Sequence, residues 1–131
     1  MRVAKAVLAI VVALLLTAAS ASAHHSFAAE FDAARPVNLT GTFTKIEWTN
    51  PHAHIHFDVK AQTGTVTTWR VELGTPNDLM RGGWSRDSLK SGDRITVTGY
   101  AAKDGSHMIT GRTVALSDGR LLFARDTTSK R

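Results

Sequence analysis

Cysteine is absent from the 131 residues. That excludes disulfides, thiolate metal sites and a lipid-acylated N-terminal cysteine. Acidic residues are outnumbered by basic ones, 11 against 16, for a formal net charge of +5. Two of the basic residues, Arg2 and Lys5, sit in the extreme N-terminal segment. The remainder is only mildly basic and carries no argument for nucleic acid. The strong apolar run, Val7 to Leu16, is too short for a spanning helix, which takes about 20 apolar residues. There is no phosphate loop, dinucleotide fingerprint or G-x-S-x-G elbow. The chain is therefore expected not to be an enzyme.

What is present begins with an export signal. Arg2 and Lys5 precede the apolar run, and Ala18-Ala19-Ser20-Ala21-Ser22-Ala23 follows it. A positive start, a short apolar core and small residues in an Ala-x-Ala pattern describe a cleavable secretory signal. Cleavage after Ala23 leaves His24-His25-Ser26 as the new terminus, and cleavage after Ala21 leaves Ser22-Ala23-His24. Either terminus is a chelator in principle, through its amine and imidazole. The expected organisation is a signal peptide over residues 1–23, one domain over 24–124 and a disordered basic tail over 125–131. The expected location is periplasmic or secreted, with no stable membrane insertion after cleavage and no nucleic-acid partner. The processed chain is long enough for a single core without staples.

The most informative stretch is Trp48 to Val59. Ala53, Ile55, Phe57 and Val59 alternate with His52, His54, His56 and Asp58. That is the period-2 pattern of a half-buried strand, with three imidazoles on the face away from the core. Same-face neighbours lie about 6.6–7 Å apart, so two such histidines can tilt onto one ion. The outer two lie about 13 Å apart, so His52, His54 and His56 do not all bind one ion on a straight strand. The candidate metal ligands are His24, His25, His52, His54 and His56. An all-imidazole and amine set favours copper, then zinc or nickel. The same histidines also suit a merely solvated strand face. His107 is expected at a loop edge. Ser26 and Asp58 have no context that would make them catalytic.

The rest of the chain supplies the frame. Ser26 to Arg35 is expected to form a helical turn ended by Pro36, with Phe27 and Phe31 pinning it. Val37, Leu39, Gly41 and Phe43 share one parity, while Ile46 and Trp48 share the other. One extra residue near Thr44-Lys45 repairs the phase, so a β-bulge or bend is expected there in a strand over 37–48. The histidine strand runs over 52–60, and a third strand over 65–73 forms a hairpin with it. Thr75, Pro76 and Asp78 mark the start of a two-turn helix that Gly82-Gly83 ends. Strands follow over 94–100 and 107–116, with a short closing strand at Leu121-Leu122-Phe123. The expected class is all-β with one short helix, as a small OB-fold-like five-stranded Greek-key barrel. A β-sandwich or another small barrel with the same strand count is the alternative. Trp69 is expected in the core, and Trp48 and Trp84 are expected buried.

Five segments carry a resemblance. They are H-S-F at 25–27, W-T-N-P-H at 48–52, W-R-V-E-L-G-T-P at 69–76, G-W-S-R-D-S-L-K-S-G-D at 83–93 and K-D-G-S at 103–106. As a set they resemble a family of small exported bacterial proteins classed only as a domain of unknown function. The resemblance implies a periplasmic single domain and no defined activity. It implies that His25 and His52 belong to the family pattern, with His54 and His56 as additions in this chain. The expected role is binding of a divalent metal, copper first, through histidines. The alternative is a non-metal module that recognises a small ligand, an oligosaccharide or a periplasmic partner protein on its barrel face.

Overall fold

A computed structural model describes residues 29–125. The chain divides into two units, Met1–Glu30 and Phe31–Arg131. Of the first, only Ala29 and Glu30 are described, and both are helical. His24, His25, Ser26, Phe27, the expected leader and residues 126–131 lie outside the described residues, while Arg125, expected to begin a disordered tail, is placed against Glu72.

The second unit has strands β1 (Phe31–Glu47), β2 (His54–Lys60) and β3 (Val66–Glu72), helix α1 (Pro76–Arg81), then β4 (Arg94–Ala102), β5 (Met108–Leu116) and β6 (Leu121–Phe123). The fold is all-β with one short helix. The strands form one sheet in the order β3-β2-β1-β4-β5-β6. All neighbours in that order are antiparallel. A parallel pairing of Arg70, Val71 and Glu72 with Met108, Ile109 and Thr110 joins β3 to β5 and curls the sheet back on itself. The sheet has six strands and closes only along this short seam, so it is not the clean five-stranded barrel expected, although the all-β class with one short helix holds.

β1 serves two neighbours. Its first part, to Thr42, pairs with β4, and its last part, from Thr42 to Glu47, pairs with β2. Two features let it bend between them. Gly41 passes so close to the Asp58 carbonyl that a Cβ would collide with backbone there and meet the Phe57 ring at 2.9 Å. Only glycine allows that approach. Then the register shifts between Phe43 and Lys45, which is the bulge that the parity change demands. Thr44 is the extra residue, and its hydroxyl donates to the His56 carbonyl at 3.2 Å. Phe43 points inward before the bulge and Ile46 packs on the core after it.

The inward faces assemble one core. Ile55 and Phe57 of β2, Val71 and Leu73 at the end of β3, Ile95 and Val97 of β4, and Ile109 and Val114 of β5 are fully shielded. Helix α1 adds Leu79. Thr75 caps it by accepting from the Asp78 N–H at 3.1 Å, and Pro76 is its first residue. Trp84 is buried, and its indole N–H donates to the Phe123 carbonyl at 2.9 Å. A buried indole needs that partner.

Several local expectations are corrected. Phe31 to Arg35 is strand, not helical turn, and Phe31 is buried opposite Ala102. Pro36 does not end the element. At that point β1 has β4 alone as a partner, next to a register shift, so a missing N–H leaves no hole in a β2 ladder. The histidine strand begins at His54, with His52 just ahead of it. Trp69 is only partly buried against the core and lays its ring against His107, centroids 4.9 Å apart. Trp48, expected buried, is likewise only partly buried against the core.

Candidate functional site

The outward face of β2 is where the chemistry gathers. Ladder pairing places directly opposed residues on one face. Glu47 of β1, His54 of β2 and Glu72 of β3 therefore form one row across three strands. Lys45, His56 and Arg70 form the next row. Thr42, Asp58 and Thr68 form the third, where the Thr68 hydroxyl donates to Asp58 Oδ1 at 2.6 Å. The bulge at Thr44 decides this arrangement. Without the extra residue being absorbed there, Lys45 and Glu47 would fall on the core side.

Each carboxylate in the first row holds a histidine and an arginine. Glu47 Oε1 lies 3.3 Å from His56 Nε2 and 3.6 Å from Lys45 Nζ, and its Oε2 lies 3.4 Å from Arg70 Nη2. Glu72 Oε1 lies 3.7 Å from His52 Nδ1 and 2.8 Å from Arg125 Nη2. The same Arg125 nitrogen donates to Thr110 Oγ1 at 2.7 Å. His54 stands between the two carboxylates.

The histidines are not freely solvated. The His56 side chain is only 16% exposed. His54 Nδ1 and His56 Nε2 are shielded from solvent and have no hydrogen-bond partner. The His56 nitrogen does have Glu47 Oε1 beside it at 3.3 Å. Shielded polar atoms without partners are uncommon and costly. Burial, then the nearby Arg70, pushes the His54 imidazole below its ordinary value of 6.5, and outweighs the pull of Glu72 and Glu47 in the other direction. Burial pushes the Glu47 carboxyl up, but the His56 contact, Arg70 and Lys45 outweigh it, so the net shift is downward.

Of the residues singled out from sequence, His52, His54 and His56 share this face. Among the described residues, no three His, Asp or Glu side chains converge as they stand on a single metal position. His107 is an exposed loop residue, at a loop edge as expected, and its carbonyl accepts from the Arg70 N–H at 3.0 Å. Asp58 is taken up by Thr68. Glu47, Lys45, Glu72 and Arg125 were not singled out from sequence. The parity beyond the bulge marks Lys45 and Glu47 as outward, but only the register brings Glu47 opposite His54.

A sequence model for a family of unknown function (DUF6152) matches residues 11–111. The chain belongs to that family. The match takes in β1 to β4, helix α1 and the start of β5, so it includes His52, His54, His56, Glu47 and Glu72, and stops short of Arg125. No curated protein and no solved structure matches the chain. The resemblance drawn from the five segments and this family assignment agree. No helix among the described residues is long and apolar enough to cross a membrane.

Proposed function

We propose that this family member is exported through a cleaved N-terminal leader and works in the periplasm or outside the cell as a binding domain. It holds a divalent transition-metal ion, copper ahead of zinc or nickel, through histidines of β2, and it binds rather than catalyses. One observation carries the reading. Two imidazole nitrogens, on successive same-face positions of one strand, are shielded and lack any hydrogen-bond partner. An ion ligated by them would supply the missing interaction. Ligation needs neutral imidazole, and burial favours that form of His54. With no cysteine in the chain, imidazole and carboxylate are the available donors, and they suit copper and zinc.

The test is a copper titration of the purified protein with its leader removed, in a His24→Ala, His25→Ala background that silences the terminal chelator. Submicromolar one-to-one uptake, lost in His54→Ala/His56→Ala, is the expected result. No binding tighter than about micromolar removes the metal reading. What then remains is a module for a small ligand, an oligosaccharide or a partner protein on the β2–β3 face, the surface on which OB-folds commonly bind. Intact mass of the exported protein tests the leader. A mass that retains residues 1–23 overturns the cleavage and with it the histidine N-terminus.

A further inference from the structure

The two carboxylates beside His54 are held differently. Glu72 has a short bridge to Arg125, and Arg125 is itself anchored on Thr110 Oγ1. Its distances are those of well-formed charge-assisted bonds. Every contact of Glu47 is longer, 3.3 to 3.6 Å, and is shared among three partners. Lys45, one of them, has a side chain 63% exposed. Exposed ion pairs of this kind exchange at little cost. Glu47 is the carboxylate whose partners give way.

Its position also fits ligation. Donors at roughly 2.0–2.2 Å from a tetrahedral ion stand about 3.4 Å from each other. Glu47 Oε1 and His56 Nε2 are already 3.3 Å apart, and that nitrogen is one of the two without a hydrogen-bond partner. The other is His54 Nδ1, on the residue directly opposite Glu47 in the ladder. His52 and Glu72, the competing pair, stand 3.7 Å apart with Glu72 already committed.

We infer that Glu47 is the carboxylate ligand that joins His54 and His56 on the ion, released for that role from Lys45 and Arg70. The inference rests on the metal reading above and deepens it. The site is not preformed. It is completed when the Glu47 and His54 side chains turn toward the His56 nitrogen. Two nitrogens and one oxygen result, a set suited to Cu(II) and Zn(II). The bulge at Thr44 thereby gains a role, because it is what turns Glu47 to the histidine face.

The experiment titrates Cu(II), then Zn(II), against a competing chelator at constant pH, again in the His24→Ala, His25→Ala background. Glu47→Gln should weaken binding about tenfold or more, the scale on which site groups act. Glu72→Gln should stay within about twofold of the parent. Arg70→Gln should tighten binding several-fold, because it frees Glu47. The Cu(II) electron paramagnetic resonance spectrum should change in Glu47→Gln and not in Glu72→Gln, and melting curves of the metal-free variants confirm that each folds. If the parent binds and Glu47→Gln binds equally well, or Glu72→Gln is the weaker variant, Glu47 is not the ligand and the metal reading survives. If Arg70→Gln does not tighten binding, the exchange of partners is overturned. If the parent itself binds no tighter than micromolar, the metal reading falls first.

Discussion

On one side of β2, Ile55 and Phe57 are completely shielded and pack with the apolar side chains of the core. On the other side, one residue away, His54 and His56 are half-buried among Glu47, Glu72, Arg70 and Lys45. The inner face is governed by area removed from water, which is non-directional and insensitive to which apolar neighbour supplies the contact. The outer face is governed by directional contacts, and there the identity and register of each neighbour decide the outcome. A strand can thus be over-determined on one side and left adjustable on the other. Among the described residues, the shielded side-chain nitrogens without hydrogen-bond partners lie on the adjustable side.

The largest effect that separates the faces is Ile55→Asp. It puts an unpaired charge into the core and should cost on the order of 4 kcal/mol or more, or abolish folding. Thermal and urea melts measure it, and a variant that melts with the wild type would mean the faces are reversed. Gly41→Ala comes next. Its new Cβ meets the Asp58 backbone and the Phe57 ring, so β1 must move away from β2 at a cost of about 1–3 kcal/mol. That variant probes the inner face through backbone approach, not polarity, and an unchanged melt would show that the two strands have room to separate.

The outer face shows in pH dependence. The folded-state pKa of His54 is depressed below its ordinary 6.5, so the unfolded chain takes the proton more readily. Its stability contribution is full above that value and is lost as pH falls through it toward the lowered folded pKa. His54→Leu removes the titration and the unpartnered nitrogen together. With a chelator present, the drop in melting temperature from about pH 7.5 to about pH 5 should be smaller in this variant than in wild type. An equal drop would place the acid sensitivity elsewhere. The smallest effect is that of Lys45→Ala, which loses one exposed contact at 3.6 Å to Glu47. Stability should stay within about 0.5 kcal/mol of wild type, and a larger loss would show that the outer face is more tightly built than its distances suggest.

Much of the frame is legible in the amino-acid order. The phase change between Phe43 and Ile46 announces the bulge, because side-chain period along a strand is two and apolar residues must return to the core. Thr75, Pro76 and Asp78 announce the helix start, because a hydroxyl acceptor and a residue lacking N–H solve a purely local hydrogen-bond problem. Pro36 misleads for the opposite reason. Its effect depends on whether a neighbouring strand needs the missing donor, which local sequence does not contain. Trp69 misleads because parity gives the side of the sheet, not how deep a position lies, and Trp69 falls just outside the β3–β5 seam.

What the amino-acid order determines by itself is periodicity and capping. The alternation from Ala53 to Val59, the bulge at Thr44 and the helix from Pro76 to Arg81 follow from contacts within a few residues. What only the tertiary structure decides is pairing. The register sets Glu47 and Glu72 on either side of His54, the return of the chain brings Arg125 to Glu72, and the β3–β5 seam curls the sheet. Glu72 and Arg125 are 53 positions apart. Contacts of that range are fixed by closure of the whole sheet, not by the local preference of any residue in them.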